Sequence, residues 1–352
     1  MISNDAIAVP GPTIMAELPR RASRRQRAVH ALSYATLRRF FELSVHVNER
    51  GWLTPAQMLF VTNRFDPIIA PLRPPRGTRL TPVRFEHFRA EWVVPRTVQD
   101  LAQMRKPAAI LYLHGGGLVS CGLNTHRRLV ARIAAAAGVP LLNVDYRQIP
   151  EAHVTETVED CITAYRHLLD QGVPSERIIV AGDSAGGGLA FSLALAARDR
   201  GLPMPSALVA IAPWADYDAT GKQQHPNDHT EAMLRGAVFA MPTQWGIAVD
   251  GRLDPRWSPV SHDFAGMPPA LIQVGSGEVL LADTELLARR YAEAGAPLTV
   301  QIWEDAVHVF QVAADVLPDA RDAIAEIGVF MRDALARAAV AESAAWSQKT
   351  SA

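Results

Sequence analysis

The sequence predicts an α/β protein with a mostly parallel central sheet, helices on both faces and a helical cap. Short apolar runs alternate with longer amphipathic stretches from residue 107 onward, as parallel strands joined by helices do. Two glycine-rich turns directly follow two of these apolar runs. Residues 214–262 interrupt the alternation, and we expect them to contribute to a cap over the carboxyl ends of the strands, where open α/β sheets bind ligands.

The individual strands are predicted from apolar, β-branched runs bounded by turn residues. They cover residues 87–94, 109–113, 141–144, 178–180, 207–211, 270–274 and 298–302. Helices are predicted at residues 125–137, 155–171, 185–200, 281–294 and 319–338. The resulting division is an N-terminal segment with cap helices (1–86), a catalytic domain (87–340) that includes the 214–262 insertion, and a tail (341–352).

The N-terminal segment has three predicted parts. Residues 1–18 are expected to be poorly ordered, and the proline-rich stretch 67–82 is expected to be an extended linker. Between them, apolar residues at three- and four-residue spacing from Val29 to Leu43 predict an amphipathic helix. Arginines precede it at positions 20, 21, 24, 25 and 27. We expect the apolar face to pack on the body as part of the cap; peripheral binding to an anionic membrane and an organellar presequence are the alternatives.

The composition excludes several classes of protein. The 352 residues can bury a large core, and 49% apolar and 20% charged residues are ordinary for a globular enzyme. A net charge of −1 gives no general attraction for nucleic acid. Two cysteines do not make a secreted disulfide scaffold, and no apolar run approaches the roughly 20 residues that span a bilayer. Since no secretory signal is recognisable, a cytoplasmic location is expected.

A nucleophilic serine is predicted at the turn after strand 178–180. The segment Gly182-Asp-Ser-Ala-Gly186 matches G-x-S-x-G and lies between a predicted strand and a predicted helix. The glycines let the backbone pass at a tight turn, and the helix start places N–H groups beside the Ser184 hydroxyl. The structural alternative is a glycine-rich turn without chemistry. Because the strand and the helix that the motif requires are both predicted, we expect Ser184 to be a nucleophile.

Donors for an oxyanion are predicted in the glycine run after strand 109–113, His114-Gly-Gly-Gly117. Without Cβ atoms, Gly116 and Gly117 can bring their N–H groups to a substrate oxygen, with the Ala185 N–H as third donor. We expect His114 to orient this loop by a hydrogen bond rather than act as a base, and we count Asp183 as a second supporting residue. A phosphate-binding loop is the alternative, but the lysine of its G-x-x-x-x-G-K pattern is missing.

The general base is expected after the last strand, because hydrolases with this elbow have the order serine, acid, histidine. Among the histidines that follow Ser184, only His308 comes just after that strand. The other three lie in the insertion or away from the strand ends: His225, His229 and His262.

Three carboxylates are candidates for the acid that orients the histidine. Glu278 and Asp283 both follow strand 270–274, and Asp216 follows the preceding strand. Structural alternatives are a helix-start role for Asp283 and a turn role for Asp216. We favour Glu278, because it comes within four residues of the strand end.

Together these motifs resemble the hormone-sensitive lipase-like branch of the α/β-hydrolase esterases and lipases. The shared segments are His114-Gly-Gly-Gly117, Val144-Asp-Tyr-Arg147 with Pro150-Glu151, Gly182-Asp-Ser-Ala-Gly-Gly187, Ser258-Pro259 and the acid and histidine loops, within about residues 87–335. The resemblance implies an α/β-hydrolase fold with a helical cap, hydrolysis of esters with small or medium acyl groups, and no metal or organic cofactor. The family's acid is usually an Asp thirty residues before the histidine; here Glu278 occupies that place. Leu118 is a second difference, since an aromatic residue commonly follows the glycine run.

The sequence therefore predicts a serine carboxylic-ester hydrolase that acts on a small-molecule ester with Ser184, His308 and Glu278. An amidase or deacetylase would use the same triad and remains an alternative. A non-catalytic small-molecule receptor on the same fold is the rival from another class; such receptors commonly lack the base, whereas His308 is present. A homodimer and peripheral membrane contact through the arginine-rich helix are left open.

Overall fold

A nine-stranded sheet forms the centre of the computed structural model, which describes residues 14–17 and 21–350 and the side chains of 21–338. The strands are β1 (Ile14–Glu17), β2 (Arg79–Arg84), β3 (Arg89–Val94), β4 (Ala109–Leu113), β5 (Leu141–Asp145), β6 (Ile178–Asp183), β7 (Ala207–Ile211), β8 (Ala270–Gly275) and β9 (Leu298–Trp303). Their order is β1-β9-β8-β7-β6-β4-β5-β3-β2. Only the β2–β3 and β3–β5 pairs are antiparallel.

Helices connect the strands and precede the sheet. They are α1 (Arg24–Ala35), α2 (Leu37–Glu49), α3 (Pro55–Thr62), α4 (Phe65–Ile69), α5 (Leu123–Ala137), α6 (Val154–Asp170), α7 (Ala185–Asp199), α8 (Thr220–Gln224), α9 (Asn227–Thr230), α10 (Gly236–Pro242), α11 (Leu281–Ala294) and α12 (Pro318–Thr350). The connection β4–α5–β5 runs in one direction along the sheet, and those through α6, α7 and α11 run in the other. Because such crossovers are right-handed, α5 lies on one face and the other three lie on the opposite face. Helix α12 packs against α5.

The predicted fold class is confirmed. Every strand and helix predicted from residue 87 onward is present, with ends that differ by at most a few residues, except that α12 continues to Thr350. The central strands were recognisable from their sequence. Every residue of β4 and β6 is buried, and a strand that is covered on both faces is a nearly continuous apolar run. Residues 351–352 of the predicted tail lie outside the described residues.

Two predictions about the N-terminal backbone are wrong in part. Residues 14–17, expected to be poorly ordered, form β1 and pair in parallel with β9; residues 1–13 and 18 lie outside the described residues. The end of the predicted linker forms β2, with Pro82 opposite Glu91 of β3. An edge strand pairs on one side only, and proline is therefore tolerated within it.

The predicted packing of the N-terminal amphipathic helix is wrong for most of its apolar face, although Val29 is partly buried against the core. The stretch forms two helices, α1 and α2, that meet at Thr36. Their buried side chains are polar: Gln26, Ser33 and Arg38. By contrast, the apolar residues Leu32 and Phe40 are 65% and 61% exposed. The three polar side chains donate to the backbone carbonyl oxygens of Asp305, Ala232 and Glu231, respectively, and the last two of these bonds are buried.

The division of the chain at residue 86 and the limits of the 214–262 insertion stay predictions. Strand β2 pairs with β3 across that division, and the insertion contains α8, α9 and α10. Within residues 14–17 and 21–350, no helix combines the length and apolar character that crossing a membrane requires.

Candidate active site

Ser184 lies at the sharp turn between β6 and α7. Its backbone is in the left-handed region, with φ 51°, which costs a non-glycine residue energy and needs support from its surroundings. That support comes from the end of β7: the Ser184 N–H donates to the Ile211 carbonyl (2.8 Å), and the Trp214 N–H donates to the Ser184 carbonyl (2.8 Å). Although Ser184 is the N-cap residue of α7, its hydroxyl does not cap the helix. The side chain is therefore left for other chemistry.

The elbow packs directly against the end of β4. A Cβ atom on Gly186 would lie 2.0 Å from the Leu113 carbonyl oxygen, and one on Gly182 would lie 2.3 Å from the Gly186 carbonyl oxygen. No side chain fits at either position. The two glycines therefore bring the Ser184 turn next to the loop that follows β4.

That loop has the conformation which the glycine run predicts. Gly116 has φ 118° and Gly117 has φ 65°, and a Cβ on Gly116 would lie 1.9 Å from the Ser120 carbonyl oxygen. Within the described residues, the N–H groups of Gly116 and Gly117 donate to no protein acceptor. The Gly115 N–H is used differently, since it donates to Asp183 (3.1 Å). Two adjacent donors therefore remain for a ligand.

His114 is completely buried beneath this loop. Its Nδ1 lies 2.7 Å from the Gly115 carbonyl oxygen, and its ring stacks on Tyr146 with ring centres 4.4 Å apart. The Nε2 atom is 3.7 Å from Asp145, beyond hydrogen-bond distance. This position fits the expected orienting role, which stays a prediction.

Asp183 connects the elbow to the same loop. Its carboxylate accepts from the Tyr112 hydroxyl (2.8 Å) and lies 3.2 Å from His126 Nε2. Burial alone would raise the pKa of Asp183, but His126 and the Tyr112 hydrogen bond outweigh it, so the pKa is lowered. For His126 the directions are reversed: burial lowers its pKa, but the charge of Asp183 outweighs burial, and the pKa of His126 is raised. His126 was not predicted from the sequence, because its contact with Asp183 joins α5 to β6 across 57 positions.

Glu278 and His308 form a buried pair at the carboxyl ends of β8 and β9. His308 Nδ1 lies 2.7 Å from Glu278 Oε2, while the Gly275 N–H donates to Glu278 Oε1 (2.7 Å). Burial lowers the pKa of His308, but the hydrogen bond and the charge of Glu278 outweigh burial and raise it. The arrangement leaves Nε2 as the ring nitrogen that can exchange a proton with a substrate.

Ser184 and His308 are not hydrogen-bonded to each other within the described residues. Catalytic hydrogen bonds are often longer before substrate binds. Of the other histidines considered, His225 accepts from the Asn227 N–H (3.1 Å), and His262 Nε2 lies 2.8 Å from the Arg256 carbonyl oxygen.

The other two candidate acids have different partners. Asp283 is buried, lies 2.9 Å from Lys222 Nζ and accepts from the N–H groups of Ala215 and Asp216. Asp283 lies in the first turn of α11, as the helix-start alternative predicts, but the N-cap residue is Leu280. A buried carboxylate needs a counter-charge, which Lys222 provides. Asp216 accepts from the Asp218 N–H (3.0 Å), as the turn alternative predicts.

Glu231 is a further buried carboxylate at this site that the sequence analysis missed. Its two oxygens accept from the N–H groups of Met233 (2.9 Å) and Val279 (2.8 Å). Burial first, and then the charge of Glu278, raise its pKa to about 7. Glu231 lies in the insertion between α9 and α10, where no motif marks it.

Comparison with known proteins supports the assignment of fold and reaction class. The family model for the α/β-hydrolase fold matches residues 110–312. Esterase LipU of Mycobacterium tuberculosis is 42% identical over 232 residues, which are 64% of this chain and 78% of LipU. Carboxylesterase/phospholipase LipF of the same species is 39% identical over 272 residues, 75% of this chain and 72% of LipF.

A solved structure agrees with these sequence relatives. It is an esterase from the bacterial hormone-sensitive lipase family, with a TM-score of 0.73 and 32% identity over 88% of this chain and 97% of that chain. The chain therefore belongs to the α/β-hydrolase fold family, in its hormone-sensitive lipase branch, and is a carboxylic ester hydrolase.

Proposed function

We propose that this enzyme hydrolyses small-molecule esters of short to medium acyl chain length through a Ser184–His308–Glu278 triad and an acyl-enzyme. The observation that carries the proposal is the 2.7 Å contact between His308 Nδ1 and Glu278 at the same sheet edge as the Ser184 elbow. An acid that fixes the imidazole tautomer and a strained serine with an uncommitted hydroxyl are the parts of such a triad.

In the acylation step, Ser184 Oγ attacks the acyl carbon while His308 Nε2 accepts its proton. The oxygen that becomes negative accepts from the N–H groups of Gly116, Gly117 and Ala185. Glu278 stabilises the imidazolium that forms. When the tetrahedral intermediate collapses, the C–O bond to the alcohol breaks, and His308 returns the proton to the leaving alcohol.

Deacylation repeats these events with water. His308 Nε2 accepts a proton from a water molecule, whose oxygen attacks the acyl carbon. The second intermediate releases the carboxylic acid, and the proton on His308 returns to Ser184 Oγ. Atoms balance as ester plus water to acid plus alcohol, without any further reactant.

A hydrolysis screen tests the substrate class. We expect kcat/KM on p-nitrophenyl esters to be highest for short or medium acyl chains and to fall for long ones. The matching p-nitroanilides, measured in parallel, should be much poorer substrates. A preference for long chains would contradict the proposed acyl length, and equal turnover of the anilides would favour the amidase alternative.

The pH dependence of kcat/KM should follow His308. The base must be neutral to accept a proton, and its pKa is raised by Glu278. Activity should therefore fall as the pH decreases, and this fall should begin above the ordinary histidine pKa of about 6.5. Rates measured between about pH 5 and 9 check the expectation. A profile that stays flat down to the acid end would argue against His308 as the base.

We propose in addition that helices α1–α4 bind an anionic lipid surface. Their exposed large apolar residues form what we call the N-terminal apolar face: Leu32, Tyr34, Leu37, Phe40, Leu43, Trp52, Leu53, Phe60, Val61, Phe65 and Ile68. Residues 21–76 contain ten arginines and three acidic residues, a net charge of +7, in a chain whose overall charge is −1. Exposed apolar side chains among arginines fit a lipid surface with negative headgroups.

Vesicle co-sedimentation tests the N-terminal apolar face. The protein should bind vesicles of phosphatidylcholine with phosphatidylglycerol more strongly than phosphatidylcholine alone, and added salt should weaken the binding. Replacing Leu37 and Phe40 with serine should reduce binding several-fold. Val329→Ser, at an apolar residue of α12 that is 44% exposed, is the matched control and should bind normally.

Two outcomes would contradict lipid binding. The first is that the protein binds neither the vesicles with phosphatidylglycerol nor those of phosphatidylcholine alone. The second is a concentration-dependent dimer that the Leu37 and Phe40 replacements dissociate, which would show that a second copy covers this face instead.

A cytoplasmic location, with access to the inner membrane surface, remains part of the proposal.

A further inference from the structure

Two side chains from the insertion hold the loop that carries Glu278. The Asn227 side-chain amide donates to the carbonyl oxygens of Ser276 and Glu278, both at 2.9 Å. Glu231 accepts from the N–H of Val279, the residue directly after Glu278 (2.8 Å). The loop backbone is therefore bonded on both sides of the acid by residues far from it in sequence.

Glu231 differs from Asn227 because it brings a second carboxylate to the acid–histidine pair. Glu231 and Glu278 are each 2% exposed, and the charges of both act on His308. The backbone N–H groups of Met233 and Val279 are its hydrogen-bond donors. Two carboxylates thus act on one imidazole, whereas a triad needs only one.

The opposite side of the Glu231 segment is fixed by the N-terminal helices. Arg38 on α2 donates to the carbonyl oxygens of His229 (2.9 Å) and Glu231 (2.7 Å). The Ser33 hydroxyl on α1 donates to the carbonyl oxygen of Ala232 (3.0 Å). The titratable and charged groups that face this segment include Glu278 and His308, which interact electrostatically with Glu231, Arg38 at its backbone, Glu42 beside Arg38, and His30 of α1 beside Gly277.

We propose that Glu231 is a positioning residue for the reaction, which holds the Glu278 loop through the Val279 N–H and, when it is ionised, stabilises the protonated form of His308 with a second negative charge. The inference rests on the proposed function. Its physical basis is that an imidazolium forms in each half-reaction, so a nearby carboxylate lowers the energy of that state. The hydrogen bond from the Val279 N–H to Glu231 also fixes the backbone next to Glu278, and so keeps the Glu278 carboxylate within hydrogen-bond distance of His308 Nδ1.

Glu231→Gln tests the proposal with little change of shape. The glutamine oxygen can accept from one of the two N–H groups, but its NH2 group opposes the other donor, so one bond to the loop is lost. We expect kcat to fall roughly ten- to a hundredfold, the cost of a small displacement, with KM unchanged. Because the pKa of Glu231 is about 7, its charge forms as the pH rises through that value. The acid limb of kcat/KM should therefore change there, since the limb of the unaltered enzyme includes the ionisation of Glu231 and that of the variant does not.

Asp228→Asn is the matched control. Asp228 is buried in the same segment and accepts from the Gly236 N–H (2.7 Å) and from Arg235. A purely structural role of this segment would give both variants the same phenotype. We expect the Asp228 variant to lose thermal stability without moving the acid limb.

Two results would overturn the inference: a folded Glu231→Gln enzyme with unchanged kcat and unchanged acid limb, or an equal shift of that limb in both variants. Ser184→Ala separates this failure from that of the proposed function, because continued turnover in that variant would reject the triad itself.

A measurement on the unaltered enzyme covers the case in which Glu231→Gln does not fold. The His308 ring proton on Nδ1, assigned by its loss in His308→Gln, should show a two-step titration in nuclear magnetic resonance, because two coupled groups titrate together. A single step would overturn the electrostatic part of the inference.

Discussion

Replacing Ser184 with alanine should abolish ester hydrolysis. The hydroxyl is the proposed nucleophile, and loss of a triad serine in a comparable hydrolase lowers kcat about 10⁶-fold. The fold should persist, because the bonds from Ile211 and Trp214 involve only the Ser184 backbone. The measurements are turnover of a p-nitrophenyl ester and labelling by a fluorophosphonate probe, with the modified residue identified by mass spectrometry.

Ser192→Ala is the control for this experiment. Ser192 lies on the same helix, α7, and is half-buried. This variant should be labelled and should turn over substrate like the unaltered enzyme. Labelling at a serine other than Ser184, or undiminished turnover in Ser184→Ala, would refute the serine-hydrolase mechanism.

Replacing Glu278 with glutamine should have the next largest effect. Glutamine keeps the size of the side chain but removes the charge, and its amide can hold the imidazole in the wrong tautomer. The corresponding change in a known triad lowers kcat about 10⁴-fold. We expect a loss of several orders of magnitude in kcat, measured in steady state, with KM and the melting temperature nearly unchanged.

Asp283→Asn is the comparison that distinguishes the two acids. Asp283 pairs with Lys222 where both side chains are 1% exposed, and breaking a buried ion pair costs about 3–5 kcal/mol of stability. This variant should therefore unfold at a lower temperature yet retain kcat per folded molecule. If Asp283→Asn instead abolished turnover while Glu278→Gln was nearly silent, the two roles would have to be exchanged.

The sheet and the positions of Ser184, Glu278 and His308 at its edge were predictable because they depend on local sequence. A run such as Ile178–Asp183 is buried throughout, so apolar character alone predicts a strand. Parallel strands place their carboxyl ends at one edge, which brings the loops after them together even when they are far apart in sequence.

The residues that surround the site were not predictable in the same way. Glu231 meets Val279 across 48 positions, and Lys222 meets Asp283 across 61. Neither contact follows from periodicity or from a motif, because each depends on how the insertion folds over the strand ends. A buried polar side chain reveals its role only when its partner is known.

The N-terminal helices show a different limit. The spacing of Leu32 and Phe40 correctly predicts helix, yet periodicity cannot tell which face meets the body. Gln26, Ser33 and Arg38 face the body because carbonyl oxygens there accept from them. An apolar stripe predicts burial against something, which need not be the same chain.

The backbone conformation of Ser184 sets catalysis against heat resistance. A serine at φ 51° costs about 1–3 kcal/mol of folding free energy, and glycine would adopt the same conformation with little strain. The most stable residue at this position is therefore one without a nucleophile. Engineering that screens only for a higher melting temperature would favour replacement of Ser184. A screen for greater thermal stability of this enzyme therefore has to select for turnover at the same time.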